Sequence, residues 1–470
     1  MNPSKSSQQP CEGYRVERDS MGEMQVPVHA MYGASTARAI ENFPVSGLRF
    51  PREFIRALGQ IKKAAAEVNH TLGQLDQERA RLITQAAEEL VAGDWDAHMA
   101  VDIFQTGSGT STNMNANEVI AHRCMQLSAD TPVHPNDHVN MGQSSNDVIP
   151  TAIHVSAADL LVHRLIPALE HLHERLREKS EETTDVVKIG RTHLMDATPI
   201  TLGQEISGWT RQMELGIERL NAVLPRLTEL ALGGTAVGTG LNTHPGFGAH
   251  LATALSRSCN IGFSEAVNHF EAQAAQDASV ELSGQLRVVA VSLVKIANDV
   301  RLLNMGPRCG LGEITVPAVQ PGSSIMPGKV NPVIAESLAQ VCAQVIGNDA
   351  TIAFGGASGL LDLNVMLPVM AHNLRESERL LANAVRMFAD KCIAGLTANH
   401  KRCAEQIEWS MGMVTALTPV MGYEKAADIA KLALAEGKTV RALCMEQGLL
   451  PEDELKTLLD PHTMLTPGVK

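Results

Sequence analysis

The amino-acid sequence predicts an all-α protein built from long helices packed as a bundle. Three observations carry this reading. Aromatics are only 3% of the 470 residues and alternating β-branched runs are scarce, which leaves little material for sheets. Apolar residues instead recur at helical spacing over long stretches. Charged residues are 19%, below the usual share of about a quarter, so much of the surface is expected to be covered by other subunits.

The elements follow in order. The polar first dozen residues are expected to be disordered. The chain up to about residue 146 shows shorter helical stretches broken by Gly/Ser/Thr/Asn-rich segments. An apolar seam then runs Leu161, Leu165, Leu169, Leu172, Leu176. Pro167 lies inside it and should kink that helix. Residues 201–232 read as one long helix. The clearest seam is Leu282, Leu286, Val289, Leu293, Ile296, Val300, Leu303, whose alternating steps of four and three form a heptad stripe. A third seam runs Ile334, Leu338, Val341, Val345, with Asn331 placed to cap its helix and Pro332 suited to the first turn. Short helices are expected near 423–435 and 438–447. The expected division is an N-terminal helical domain over 1–146, a central long-helix domain over 147–400 and a small C-terminal domain over 401–470.

Composition narrows the function. A net charge of −13 argues against nucleic acid or an anionic membrane as partner. It also means that any site for an anion must supply its own positive charge. The eight cysteines (Cys11, Cys124, Cys259, Cys309, Cys342, Cys392, Cys403, Cys444) show no CxxC spacing and no zinc or iron–sulfur pattern. They read as buried thiols in a reducing compartment. No stretch of eighteen apolar residues marks a membrane span, and the first twenty residues lack the pattern of a targeting segment. The expectation is a cytoplasmic protein without metal or other cofactor.

Four segments break the helical pattern with small polar residues. They are Thr106–Asn113; His134–His138 followed by Gln143–Asp147; Gly190–His193; and the loop 306–331. Hydroxyls, amides and glycine-exposed N–H groups are what a carboxylate needs. One such segment alone could be an ordinary capped turn; four in a chain of long helices point to a site. The fourth is the most informative, because so long a loop in a compact domain is usually functional. Gly306, Gly310, Gly312, Gly322 and Gly328 loosen it; Pro317, Pro321 and Pro327 stiffen parts of it. It delivers Lys329 and Asn331 to a helix N-terminus, which favours an anion. His134 and His138 stand at a metal-like spacing, but no further ligands cluster near them. The glycine run 233–240 follows a helix and lacks Gly-Lys-Ser/Thr, so it is not read as a phosphate loop.

At this point the chain resembles a known family. Gly322-Ser-Ser-Ile-Met-Pro-Gly-Lys-Val-Asn-Pro332 is similar to the signature loop of the fumarase/aspartase superfamily. Gly190-Arg-Thr-His193, Pro327-Gly-Lys329 and Gly234-Thr-Ala-Val-Gly-Thr-Gly-Leu-Asn242 resemble its class II fumarase branch. The resemblance spans nearly the whole chain. It implies an all-α, three-domain fold whose central helices form the core of a homotetramer, with active sites shared between chains. It implies reversible anti addition of water to fumarate, giving (S)-malate, in the tricarboxylic acid cycle.

The resemblance also implies roles. Ser323 would be the base and His193 the acid that protonates the leaving hydroxyl, with Glu336 orienting His193. Substrate would be held by Ser108, Gly109, Thr110, Asn113, Ser144, Ser145, Asn146, Thr192, Ser324, Lys329, Val330 and Asn331. His134, Pro135, Asn136 and Asp137 resemble a second, non-catalytic dicarboxylate site. Gly142 and His138 depart from the family pattern beside these segments. The nearest rival is an aspartate ammonia-lyase, against which His193 and Gly328 argue. A catalytically silent structural member is the other; it would be expected to lose Ser323, Lys329, Asn331 or His193, and all four are present.

Overall fold

The computed structural model describes residues 13–468. The expectation of disorder for the first dozen residues falls outside them. Helix accounts for 62% of the protein, so the all-α reading holds. The strands among the described residues form four two-stranded pairs. The chain divides into two compact units. Unit 1 takes residues up to Leu165, with Leu220–Arg287 and Gln344–Arg379. Unit 2 takes Ile166–Arg219, Val288–Ala343 and the residues from Leu380 on.

The long helices are where periodicity placed them. All seven seam residues of the helix Asp277–Leu303 are 5% exposed or less. At about 1.5 Å per residue this helix is roughly 40 Å long. The second seam is equally buried; it starts on the turn that joins the helices Ser145–Leu160 and Ile166–Glu182 and continues along the latter. Between these two lies a π turn, Leu161–Leu165, just before Pro167. Proline has no N–H to give the preceding turn, and a wider turn absorbs the mismatch. By length and composition Ser145–Glu182 could cross a membrane, but 67% of its most apolar window is buried inside the chain, as in a core helix.

Four local expectations need correction. The helix expected over 201–232 is Leu202–Leu227 and ends two residues past Pro225. Glu229–Leu230 leaves it to pair with Ser264–Glu265, a partner that no local pattern shows. Asn331 does not cap the helix Val333–Gly356. Its Nδ2 donates to the Gly322 carbonyl at 2.6 Å, and the first helical bond runs from Glu336 N to Pro332 O. The loop 306–331 holds a strand, Ile314–Thr315, paired with Thr397–Ala398. Of the seven described cysteines all are free; six are buried, and Cys309 is exposed, contrary to expectation.

Unit 2 has a core of its own near the C-terminus. Val187 and Ile189 pack with Ile407, Leu417, Ile429, Leu443 and Leu455. These residues anchor the hairpin of strands Val187–Thr192 and Met195–Thr201.

Candidate active site

In unit 1 the polar segments Thr106–Asn113 and Gln143–Asp147 and the glycine run 233–240 are held by one hydrogen-bond network. Thr106–Asn113 runs into the helix Thr110–Leu127, with Gly109 at its N-cap in the left-handed conformation. Ser108 and Thr110 share a hydroxyl hydrogen bond of 2.9 Å. Asn113 Nδ2 donates to Ser145 Oγ at 3.0 Å and to Asn140 Oδ1 at 3.2 Å. Ser144 caps the helix Ser145–Leu160, and Asp147 completes the capping box by accepting from Ser144 N at 2.9 Å. Asp147 also accepts from Gly233 N and Thr235 N, and Asn146 Nδ2 donates to Ala236 O at 2.8 Å. The glycine run thus braces the segment Ser144–Asp147 through two backbone N–H groups and a carbonyl. Burial pushes the Asp147 carboxyl up to about 7, and its three backbone donors pull the other way.

His134–Asp137 lies at the start of a π turn, Pro135–Val139. His134 Nδ1 and Asp137 Oδ2 are 3.2 Å apart, and His134, Asn136 and Asp137 are exposed. His138 folds back instead: its Nδ1 accepts the His134 backbone N–H at 2.8 Å. That lone pair braces the turn, so the four-residue spacing does not make a metal pair. Among the described residues no group of three or more His, Cys, Asp or Glu is arranged to hold a metal ion. Gly142, the other departure, has φ +70°, and a Cβ there would lie 2.8 Å from Thr243 Oγ1. Backbone and space both demand glycine.

In unit 2 Thr192 pairs with Met195, so His193 and Leu194 form the two-residue hairpin turn. Both have positive φ, 54° and 60°, which residues other than Gly and Asn adopt rarely. Thr192, His193 and Leu194 are exposed, held out by a strained turn on an anchored hairpin. The hairpin base is tied by charge. Lys188, 1% exposed, lies 2.9 Å from Glu205 and 3.2 Å from Glu313; Arg191 lies 2.8 Å from Glu313. Glu313 is fully buried, and its backbone pairs with Leu303 and Asn399. It therefore fixes the root of the signature loop beside the hairpin.

The signature loop closes on itself. Gly322 N donates to Lys329 O at 2.8 Å, and the Asn331 amide closes the same ring. A Cβ on Gly322 would lie 2.5 Å from Lys329 O, so the clasp requires glycine. Ser323 Oγ accepts the backbone N–H groups of Ile325 at 3.2 Å and Met326 at 2.8 Å. Two donors aimed at one hydroxyl oxygen stabilise negative charge there. Ser324, Lys329 and Val330 are exposed. Glu336 sits in the first turn of Val333–Gly356. No hydrogen bond or ion pair joins His193 to Ser323, Lys329 or Glu336 within this unit. The sequence reading missed Lys62 and Asn140 in unit 1 and Lys188 and Glu313 in unit 2, and gave no role to Asp147 or Arg191 within the segments it singled out.

Comparison with known proteins gives the family. Residues 22–347 match the Lyase family, and 413–466 match the fumarase C C-terminus. The class II fumarate hydratase of Halobacterium salinarum is 58% identical over 462 residues, covering 97% of this chain and 98% of that protein. That of Corynebacterium glutamicum is 55% identical over 457 residues, 96% of each. Among solved structures, the recombinant class II fumarase of Schistosoma mansoni superposes with a TM-score of 0.94 at 40% identity, covering 96% of this chain and 99% of that one. A Brucella melitensis fumarate lyase:delta crystallin bound to cobalt gives 0.92 at 44% identity, covering 97% and 100%. On this near-complete match of sequence and fold, the chain belongs to the class II fumarate hydratase family.

Proposed function

We propose that the protein is a hydro-lyase that adds water to fumarate and removes it from (S)-malate, as a step of the tricarboxylic acid cycle. The observation that carries this is the 58% identity over nearly the full chain to a class II fumarate hydratase. Ser323 takes the proton from the carbon beside one carboxylate. Its two N–H donors favour the alkoxide that a serine base requires. The electrons move onto that carboxylate, and Lys329 and Asn331 stabilise the added charge. His193, charged and oriented by Glu336, gives its proton to the hydroxyl, which leaves as water from the opposite face.

Ser108, Gly109, Thr110, Asn113, Ser144, Ser145, Asn146, Thr192, Ser324 and Val330 hold the substrate. His134–Asp137 forms a second dicarboxylate site. The three-domain division 1–146, 147–400 and 401–470 belongs to the same proposal. So does a homotetramer in which three chains supply each site. The exposure of His193 on its hairpin tip and of Lys329 on its loop fits that assembly. Free, mostly buried thiols fit a reducing cytoplasm.

The test is an ultraviolet assay for fumarate formed from (S)-malate, run beside aspartate, with no cofactor added. Fumarate from malate alone is expected. Fumarate from aspartate alone would overturn the reading. Refolding Ser323→Ala mixed with His193→Asn tests the sharing of sites. Activity above either variant alone is expected, and mixed tetramers without activity would place the whole site in one chain.

A further inference from the structure

An acidic chain that binds a dianion needs local positive charge, and unit 1 holds one cation that the reaction scheme leaves unused. Lys62, on the helix Arg52–Thr71, is fully buried. Among the described residues the other fully buried cations, Lys188 and Arg375, each have a carboxylate within 3 Å. Lys62 has only amide oxygens: its Nζ donates to Asn140 Oδ1 at 3.1 Å and to Gln143 Oε1 at 2.9 Å. The charge of Asp147 acts on it without an ion-pair contact. A buried charge without a contacting counter-charge is costly, and a ligand can supply that partner.

The network shows where that ligand sits. Asn140 Oδ1 accepts from Lys62, from Asn113 Nδ2 and from Asn117 Nδ2. This orients the Asn113 amide so that its Nδ2 also reaches Ser145 Oγ. Ser145 then accepts from Asn113 and keeps its own O–H free to donate. The Asn113 and Asn117 Oδ1 atoms are buried without a protein partner. The free Ser145 O–H, with a cation behind it, makes a carboxylate subsite, and the Asn113 and Asn117 Oδ1 atoms, being acceptors, suit a hydroxyl or other donor beside it.

We propose that Lys62 is the positioning cation of this subsite, and that a dicarboxylate bound at Ser145, beside Asn113, supplies the contacting counter-charge that the protein does not, so that the protein takes up a proton on binding. The inference rests on the fumarate hydratase reading. Burial pushes the Lys62 ammonium down to about 7. Asp147, from the helix Ser145–Leu160, is the titratable group whose charge acts on it, and its two oxygens are engaged by the N–H groups of Ser144, Gly233 and Thr235. Asn140 and Gln143 do not titrate. An anion arriving beside Lys62 raises its pKa, and a neutral amine becomes an ammonium by taking a proton from solvent.

The experiment is calorimetric titration of the full-length protein with succinate, a dicarboxylate with neither hydroxyl nor double bond, at pH 8. Two buffers of different ionisation enthalpy report the protons exchanged. Net uptake is expected in the parent and its loss in Lys62→Met. For malate, KM should rise about 10- to 100-fold in that variant while kcat falls far less. Lys62→Gln is the second variant should Lys62→Met not fold. Binding without proton uptake, or uptake and KM unchanged in the variant, overturns the inference. A parent that forms fumarate from malate yet takes up no proton sinks this inference alone. A parent that binds succinate with uptake yet never forms fumarate sinks the reaction instead.

Discussion

Each unit buries one lysine completely or almost so, and the two are solved differently. In unit 2 Lys188 faces Glu205 and Glu313, with Arg191 completing the cluster. In unit 1 Lys62 faces two neutral amides. The same side chain in the same degree of burial is a finished joint in one place and a charge without a contacting carboxylate in the other. The first ties the hairpin of Thr192 and His193 to the root of the signature loop. The second lies behind the residues proposed to hold a carboxylate. Pairing thus separates a group that holds the fold from one that serves a ligand.

The sharpest way to break this comparison is to remove each lysine. Lys188→Met leaves buried Glu313, and the partly exposed Glu205 beside it, short of a cation, and breaking such a cluster costs about 3–5 kcal/mol. Urea unfolding should show that loss; a loss below about 1 kcal/mol would mean the cluster is not a joint. His193→Asn tests the chemistry that the joint supports. Asparagine tolerates the left-handed backbone of the turn, so the hairpin should keep its stability. Turnover should fall about 10²–10⁴-fold, and a kcat within a few-fold of the parent would remove His193 from the acid role.

Lys62→Met should behave oppositely to Lys188→Met, being neutral or stabilising at pH 7. The sign of its pH dependence follows from linkage. The folded pKa, about 7, lies below the ordinary lysine value. Between those values the unfolded chain binds more protons than the folded one, so the stability of the parent rises with pH. The variant's advantage should therefore shrink by up to about 1.4 kcal/mol per pH unit from pH 7 towards 10. A constant difference across that range would mean that Lys62 is neither desolvated nor unpaired. The smallest effect is expected at Gly142→Ala. The positive φ and the contact with Thr243 should cost about 1–2 kcal/mol in thermal unfolding, and an unchanged Tm would show that the turn relaxes freely.

The sequence by itself determined the parts whose physics is local. The heptad stripe of Asp277–Leu303 is written in residue spacing, because one face of a helix must be apolar to be buried. The loop from Gly322 to Asn331 is legible for a similar reason: its glycine and asparagine are demanded by a clasp only ten residues long. The polar segments were visible as interruptions of helix. What only the tertiary structure decided is pairing across distance. Lys62 and Lys63 are adjacent and alike in sequence, yet Lys63 is half-exposed and reaches Glu88, while Lys62 turns inward to a partner 78 positions away. Glu229–Leu230 left its helix for strands more than thirty residues on. Asn331 gave its amide to Gly322 rather than to the helix it precedes. A charge or an amide has several acceptable partners nearby in any chain. Which one it takes depends on what packing brings within 3 Å after burial, and no local pattern carries that information.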